Sequence, residues 1–273
     1  MSRMSNVNLR RSAAVVLRQY YLLRSSPVRL LPIFIWIGID ILLWGFITRY
    51  LNTVAHSGFN FVPALLGAVL MWDFFVRIMH GIATAFFEDV WTRNFLNFFA
   101  TPLTVTEYVI GLVVTSIGTS IFGLLMMVLI AALFFGLSIL SYGTVVAAFL
   151  LSLFLFAIGI GVLACAIVLR YGPAAEWFVW PIPAIISPLA CVFYPVAVLP
   201  KWMQFLAHLL PPSYVFESLR AVSAGQPPQL LGLLISGILS LLYIAAAGWV
   251  FTTVFRHALR SGLIARYSAE SVN

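Results

Sequence analysis

The sequence predicts an all-α polytopic membrane protein with six transmembrane helices, and three observations predict it. Of its 273 residues, 63% are hydrophobic and only 8% are charged, where soluble domains carry about 25% charged residues. The apolar residues come in runs long enough to cross a bilayer, which takes about 20 residues of helix. The basic residues sit at the ends of those runs, so the net charge of +7 reads as topology and lipid-headgroup contact, not nucleic-acid binding. One transmembrane domain is expected over residues 1–273, with a basic cytoplasmic segment at 1–29, the bundle at 30–256 and a cytoplasmic tail at 257–273.

In the first segment Ala13, Val16, Leu17 and Tyr20 share a helical face, with Arg11 and Arg18 on another. Pro27 ends the pattern. An interfacial helix on an anionic leaflet fits, and a solvated basic tail is the alternative. No small-residue cleavage site of a secretory signal stands at the right distance. The first span is expected at residues 30–47, just long enough and with Asp40 inside it, then a polar loop at 49–60. The second span, 61–87, carries Asp73, Arg77 and His80. The third (108–135) and fourth (145–169) flank a turn at 136–143, and no charged residue occurs between Tyr108 and Leu169. The fifth, 177–198, holds Pro181, Pro183, Pro188 and Pro195 and must kink or end early, because proline removes a ladder donor. Residues 199–228 are amphipathic, with Trp202, Phe205, Leu206 and Leu209 at helical spacing before Pro211-Pro212. A re-entrant helical hairpin on the outer side fits, and a plain surface loop is the alternative. The sixth span is expected at 230–254.

Six spans place both termini on one side. Six Arg before the first span, Arg93, Arg170 and three in the tail make eleven on that side, against Arg49, Lys201 and Arg220 on the other. The excess of Arg and Lys assigns the termini to the cytoplasm. Gly111, Thr115, Thr119 and Gly123, and likewise Gly232, Ser236 and Ser240, repeat every four residues. Such stripes let helices approach closely. Trp36, Trp44, Trp72, Trp177, Trp180 and Trp202 read as interfacial belts, or as an aromatic path for glycan or lipid.

Soluble-type chemistry is missing from the pattern. No Gly-Lys pair occurs, so there is no phosphate-binding loop, and no His-Glu-x-x-His metal motif. Cys165 and Cys191 stand alone in apolar runs and read as packing residues. No metal or cofactor is expected on this chain. A nucleotide-driven process would need its ATPase on another chain.

Residues 88–102 form a charged island between the second and third spans, and must face water. Trp91, Phe95 and Phe98 fall at i, i+4 and i+7, with Asp89, Arg93 and Asn97 on another face. An apolar face there must be buried in lipid or in a partner. Within the second span Asp73, Arg77 and His80 share one face, each costly in mid-bilayer. They line a cavity, or Asp73 and Arg77 form a structural ion pair with Asp40 as a third member.

Ala100-Thr101-Pro102-Leu103, then Glu107 and Gly111, resemble the region between the second and third spans of type-2 ATP-binding-cassette (ABC) exporter permeases. Tyr194-Pro195, Leu199-Pro200-Lys201-Trp202, residues 209–214 and Arg220 are similar to that family's extracellular re-entrant region. Where many members carry Gly-Thr and then an acid, this chain has Arg93-Asn94 and Leu96. The resemblance implies a half-transporter that pairs as a homodimer in the bacterial inner membrane, above two copies of a separate ATP-binding subunit that holds ATP and magnesium. It implies export of an amphipathic substrate, a lipid-linked glycan or a hydrophobic small molecule. Trp91, Phe95 and Phe98 would anchor a coupling helix, with Glu88, Asp89 and Arg93 setting its register. Pro200, Trp202, Pro211 and Tyr214 would form an outer gate. The rival function is an ion- or proton-coupled carrier working through Asp40, Asp73, Arg77 and His80. A membrane scaffold is a third possibility. The sequence has no clear internal repeat, which weighs against a carrier of inverted halves.

Overall fold

A computed structural model of the chain describes residues 8–25, 31–54, 61–91 and 101–261. Among these residues the structure is all helical, with no strand. We number the α-helices α1 Leu9–Ser25, α2 Leu31–Val54, α3 Gly67–Trp91, α4 Val105–Phe135, α5 Val145–Tyr171, α6 Ile182–Ala190, α7 Lys201–His208, α8 Pro211–Ser223 and α9 Leu230–Arg260. Four helical stretches among the described residues are long and apolar enough to cross a membrane: Val62–Trp91, Val105–Phe135, Val145–Tyr171 and Leu230–Arg260. They correspond to the expected second, third, fourth and sixth spans.

α3 is the central helix. It packs on α4 and α5, and α5 packs on α9 in turn. The seam is aromatic: Phe75 stacks on Phe156 at 5.4 Å between ring centres, and Phe156 meets Tyr243 edge-on at 5.0 Å. The outer faces of α4 and α9 are apolar and uncovered, with Leu133 72% and Trp249 71% exposed, a surface that suits hydrocarbon and not water. In lipid, burial of one apolar helix against another gains little, so close fit decides the packing. Gly159 and Gly161 supply that fit on α5. A Cβ on Gly159 would stand 3.1 Å from the backbone carbon of Tyr243 in α9, and one on Gly161 3.1 Å from the Ile82 Cβ in α3. Gly159→Leu is expected to cost about 1–3 kcal/mol by forcing α5 and α9 apart, read as a lower melting temperature in detergent. An unchanged melt would mean that this contact does not carry the bundle.

Helix ends differ from the hydropathy boundaries where polar residues continue a helix. α2 runs through Arg49 to Val54, past the expected end at 47, since hydropathy marks the edge of the membrane and not the last helical turn. Arg49 lies 5.9 Å from the ring centre of Phe135. At the other loop end, Pro63 opens a π-helical turn, Val62–Leu66, whose carbonyl at Pro63 accepts a 2.6 Å bond from the Tyr142 hydroxyl.

The expected fifth span is broken. A 3₁₀ stretch at Pro173–Phe178 and a turn lead into α6, which has nine residues, about 14 Å of helix against a hydrocarbon core of about 30 Å. α6 ends at Cys191 in the left-handed region (φ 55°). α7 and α8 then occupy the place of the expected hairpin. The chain at 191–196 is held from α8: Arg220 Nη1 donates to the Cys191 carbonyl at 2.8 Å, and the Val196 N–H donates to Glu217 Oε1 at 2.6 Å. The serine stripe of α9 packs inside the chain. Ser236 donates to the Pro211 carbonyl at 2.7 Å, and Ser240 to that of Ser152 at 3.2 Å.

α1 is not a free tail. It docks along α4, with Ser12, Val15 and Gln19 buried. Gly111 of α4 admits it, because a Cβ there would meet Val15. The face expected to be apolar stays uncovered, with Leu17 53% and Tyr20 54% exposed. One face of α1 therefore grips the protein while the other remains open.

Candidate translocation cavity and coupling segment

The stripe that sets α3 apart is the charged one. Of its residues only Asp73, Val76, Arg77, His80, Gly81, Thr84, Glu88 and Trp91 are not buried. All but Trp91 line a single cavity of about 600 Å3. The reason is topological. α2 leans on α4 and scarcely touches α3, so a space opens between α2 and α3, floored by α4. Asp40 and Trp36 of α2, Thr115, Thr119 and Ser120 of α4, Gln19 of α1 and Trp180 complete the wall. The small-residue stripe of α4 serves this space. Gly123 leaves room for the Arg77 stem, whose Cδ would lie 3.1 Å from an added Cβ. Thr115 and Thr119 turn their hydroxyls back onto the carbonyls of Gly111 (2.9 Å) and Ser116 (3.1 Å).

The expected ion pair between Asp73 and Arg77 is not formed. Among the described residues no salt bridge joins Asp40, Asp73 or Arg77. Asp73 Oδ2, Arg77 Nε, His80 Nε2 and Ser120 Oγ are out of solvent without a hydrogen-bond partner. Asp73, Arg77 and His80 share one face of α3, but their side chains reach into the cavity instead of along the helix. Unmet buried polar atoms cost about 1–3 kcal/mol each, and here they surround one space.

Residues 92–100 of the charged island, with Arg93, Phe95 and Phe98, lie outside the described residues. Both flanks are described, and α1 ties them together. On the α3 side the Arg18 guanidinium bonds to Asp89 Oδ1, the Tyr108 hydroxyl donates to Asp89 Oδ2 at 2.6 Å, and the Gln19 amide donates to the Ala85 carbonyl at 3.3 Å. On the α4 side Thr104 and Glu107 form a capping box. The same Glu107 carboxylate accepts the Asn8 N–H at 2.8 Å, while Arg11 donates to the Pro102 carbonyl at 2.6 Å. Asp89 is fully buried, so its charge is spent inside the chain and not on the surface expected to meet a partner. Glu88 lines the cavity. Trp91 ends α3 half exposed, yet its indole N–H donates to Glu176 Oε2 at 3.0 Å. Trp180 donates to the other oxygen of that carboxylate at 3.4 Å, and its ring lies 4.9 Å from His80.

Sequence reading missed Glu176, Arg18, Tyr108 and Gln19. Glu176 is one of eight acids in the chain and stands just before Trp177 and Trp180; an acid beside paired tryptophans at a membrane edge was the available signal. Arg18 and Gln19 join the site only through tertiary docking, which periodicity does not reveal. The four expected outer-gate residues frame the hairpin rather than meet at one point. Pro200 caps α7, Pro211 starts α8 in a buried position, Tyr214 donates to the His208 carbonyl at 2.9 Å, and Trp202 is 66% exposed.

The sequence model described as ABC-2 type transporter matches residues 14–223, more than three quarters of the chain, from α1 to the end of α8. No curated protein matches the chain. Membrane-length apolar helices, a cavity lined by intramembrane charges and this match agree: the chain belongs to the ABC-2 type transporter family, as the integral membrane permease subunit of an ABC transporter.

Proposed function

We propose that this permease exports an amphipathic substrate across the bacterial inner membrane, driven by ATP hydrolysed on a separate subunit. Two copies of the permease pair; in each, five long helices and the broken fifth segment make six crossings, and both termini lie in the cytoplasm above two ATP-binding subunits. The uncovered face of α1 rests on the inner leaflet. The observation that carries the reading is the continuity of the charged α3 stripe. It lines the cavity from Asp73 to Glu88 and ends at Trp91, where the coupling segment begins. The cavity forms part of the path, and the segment from Glu88 through Phe98 receives the motion of the ATP-binding subunit. Its aromatic residues fill a cleft on that subunit, with Glu88 and Arg93 fixing register. The hairpin with Pro200, Trp202, Pro211 and Tyr214 closes the outer end.

The test is co-purification with the ATP-binding subunit. Aromatic anchors at interfaces contribute about 2 kcal/mol or more each, so Trp91→Ala with Phe95→Ala is expected to weaken the complex by about a hundredfold or more. An unweakened complex would refute the docking role. One observation favours a second reading, an ion- or proton-coupled carrier: the unpartnered polar atoms of Asp73, Arg77 and His80 beside the cavity. Substrate movement driven by a proton gradient with no ATP-binding subunit present would support it.

A further inference from the structure

We infer that the ligand taken by the cavity between α2, α3 and α4 is an amphipathic organic cation. This rests on the reading of that cavity as the substrate path.

The sign of the cavity opposes that of the chain. The chain carries 15 basic and 8 acidic residues. Among the described residues that line the cavity the balance inverts: Asp40, Asp73 and Glu88 stand against the single guanidinium of Arg77. Glu88 has a further interaction of its own, but Asp40 and Asp73 alone still outnumber Arg77. In a partly desolvated space an ionised carboxylate favours a positive ligand far more strongly than in water, and a bound cation in turn favours that ionised form.

The neutral donors Thr115, Thr119 and the Gln19 amide are already committed to backbone carbonyls. The unmet polar atoms beside the space are Asp73 Oδ2, Arg77 Nε, His80 Nε2 and Ser120 Oγ. Trp36 and Trp180 line the same space as the acids, and indole faces attract cations within about 6 Å. Trp180 is held in orientation by Glu176. A volume of about 600 Å3 falls in the range of roughly 300–1,000 Å3 that takes a drug-sized molecule.

The experiment measures equilibrium binding of radiolabelled tetraphenylphosphonium to the permease in nanodiscs of zwitterionic lipid, with and without its ATP-binding subunit. Tetraphenylborate, an anion of nearly the same size and shape, is the control. Saturable binding of the cation, not displaced by the anion, is expected. Asp40→Asn with Asp73→Asn should weaken it about tenfold or more. Trp36→Leu should weaken it about threefold, and since Trp36 is 63% exposed this variant keeps its fold. Equal or tighter binding of the anion, no saturable cation binding, or wild-type affinity in the folded variants would each overturn the inference. If the cation fails to bind while Trp91→Ala still releases the ATP-binding subunit, the ligand class falls and the coupling reading stands. If the subunit never associates, binding to the permease alone still decides the ligand class.

Discussion

Arg18→Ala is expected to destabilise the protein by about 3 kcal/mol, the largest effect of any single surface-accessible residue. The Asp89 carboxylate has no exposed area, and its two oxygens are taken by Arg18 and by the Tyr108 hydroxyl. Removing the guanidinium leaves a buried carboxylate with one neutral donor. Breaking a buried pair from one side typically costs about 3–5 kcal/mol, because the partner charge stays behind without compensation. Arg18 keeps some solvent access, which sets the expectation at the lower end. Removing both charges should hurt less: Arg18→Ala with Asp89→Asn is expected to recover much of the loss, a non-additivity that a double-mutant cycle measures. The single variants should also loosen the α3 side of α1, which Gln19 would still tie by hydrogen bond while Asn8 and Arg11 hold the α4 side, and so expose protease sites around residues 18–25. Identical melting curves for Arg18→Ala and wild type would show that the latch carries no stability.

Much of the fold was legible because hydrocarbon imposes a simple rule on sequence. Runs without charge between Tyr108 and Leu169 can only be spans, and α4 and α5 stand where those runs predict. α6 was less legible. Four prolines announced a break, but they could not say that the helix would stop after nine residues and that Arg220 and Glu217 would hold the next segment. At the candidate site, spacing placed Asp73, Arg77 and His80 on one face, and the structure keeps them there. Spacing could not decide between a pair along the helix and side chains turned outward. That choice depends on α2, which stays away from α3 and so leaves room. The docking of α1 was hidden for a related reason. Its gripping face is Ser12, Val15 and Gln19, too polar to register as an apolar stripe, and its hydrophobic stripe faces away. The role of Asp89 was misplaced by the same logic: an acid in a charged loop reads as surface until a distant arginine covers it.

Glu176→Ala is expected to leave the protein folded and the ATP-binding subunit attached, yet to cut the link between ATP and the cavity by about five- to a hundredfold. Its carboxylate joins the end of α3 to the cavity wall. One oxygen accepts from Trp91, at the end of α3 where the proposed coupling segment starts; the other accepts from Trp180, a wall of the cavity whose ring faces His80. A displacement of the proposed coupling segment would therefore reach the wall through one side chain. Both hydrogen bonds are solvent accessible, so their loss should cost less than about 1 kcal/mol in stability. Coupling between sites is typically about 1–3 kcal/mol, which gives the expected range. A spin label on Thr84→Cys, on the cavity face of α3, reports the wall directly. In the otherwise wild-type complex its spectrum should change on ATP addition. With Glu176→Ala the change should vanish while ATP hydrolysis continues, and Glu176→Gln, which keeps one acceptor oxygen, should fall between. If the label responds fully in Glu176→Ala, the motion travels along the α3 backbone alone and Glu176 is only a surface contact between two tryptophans.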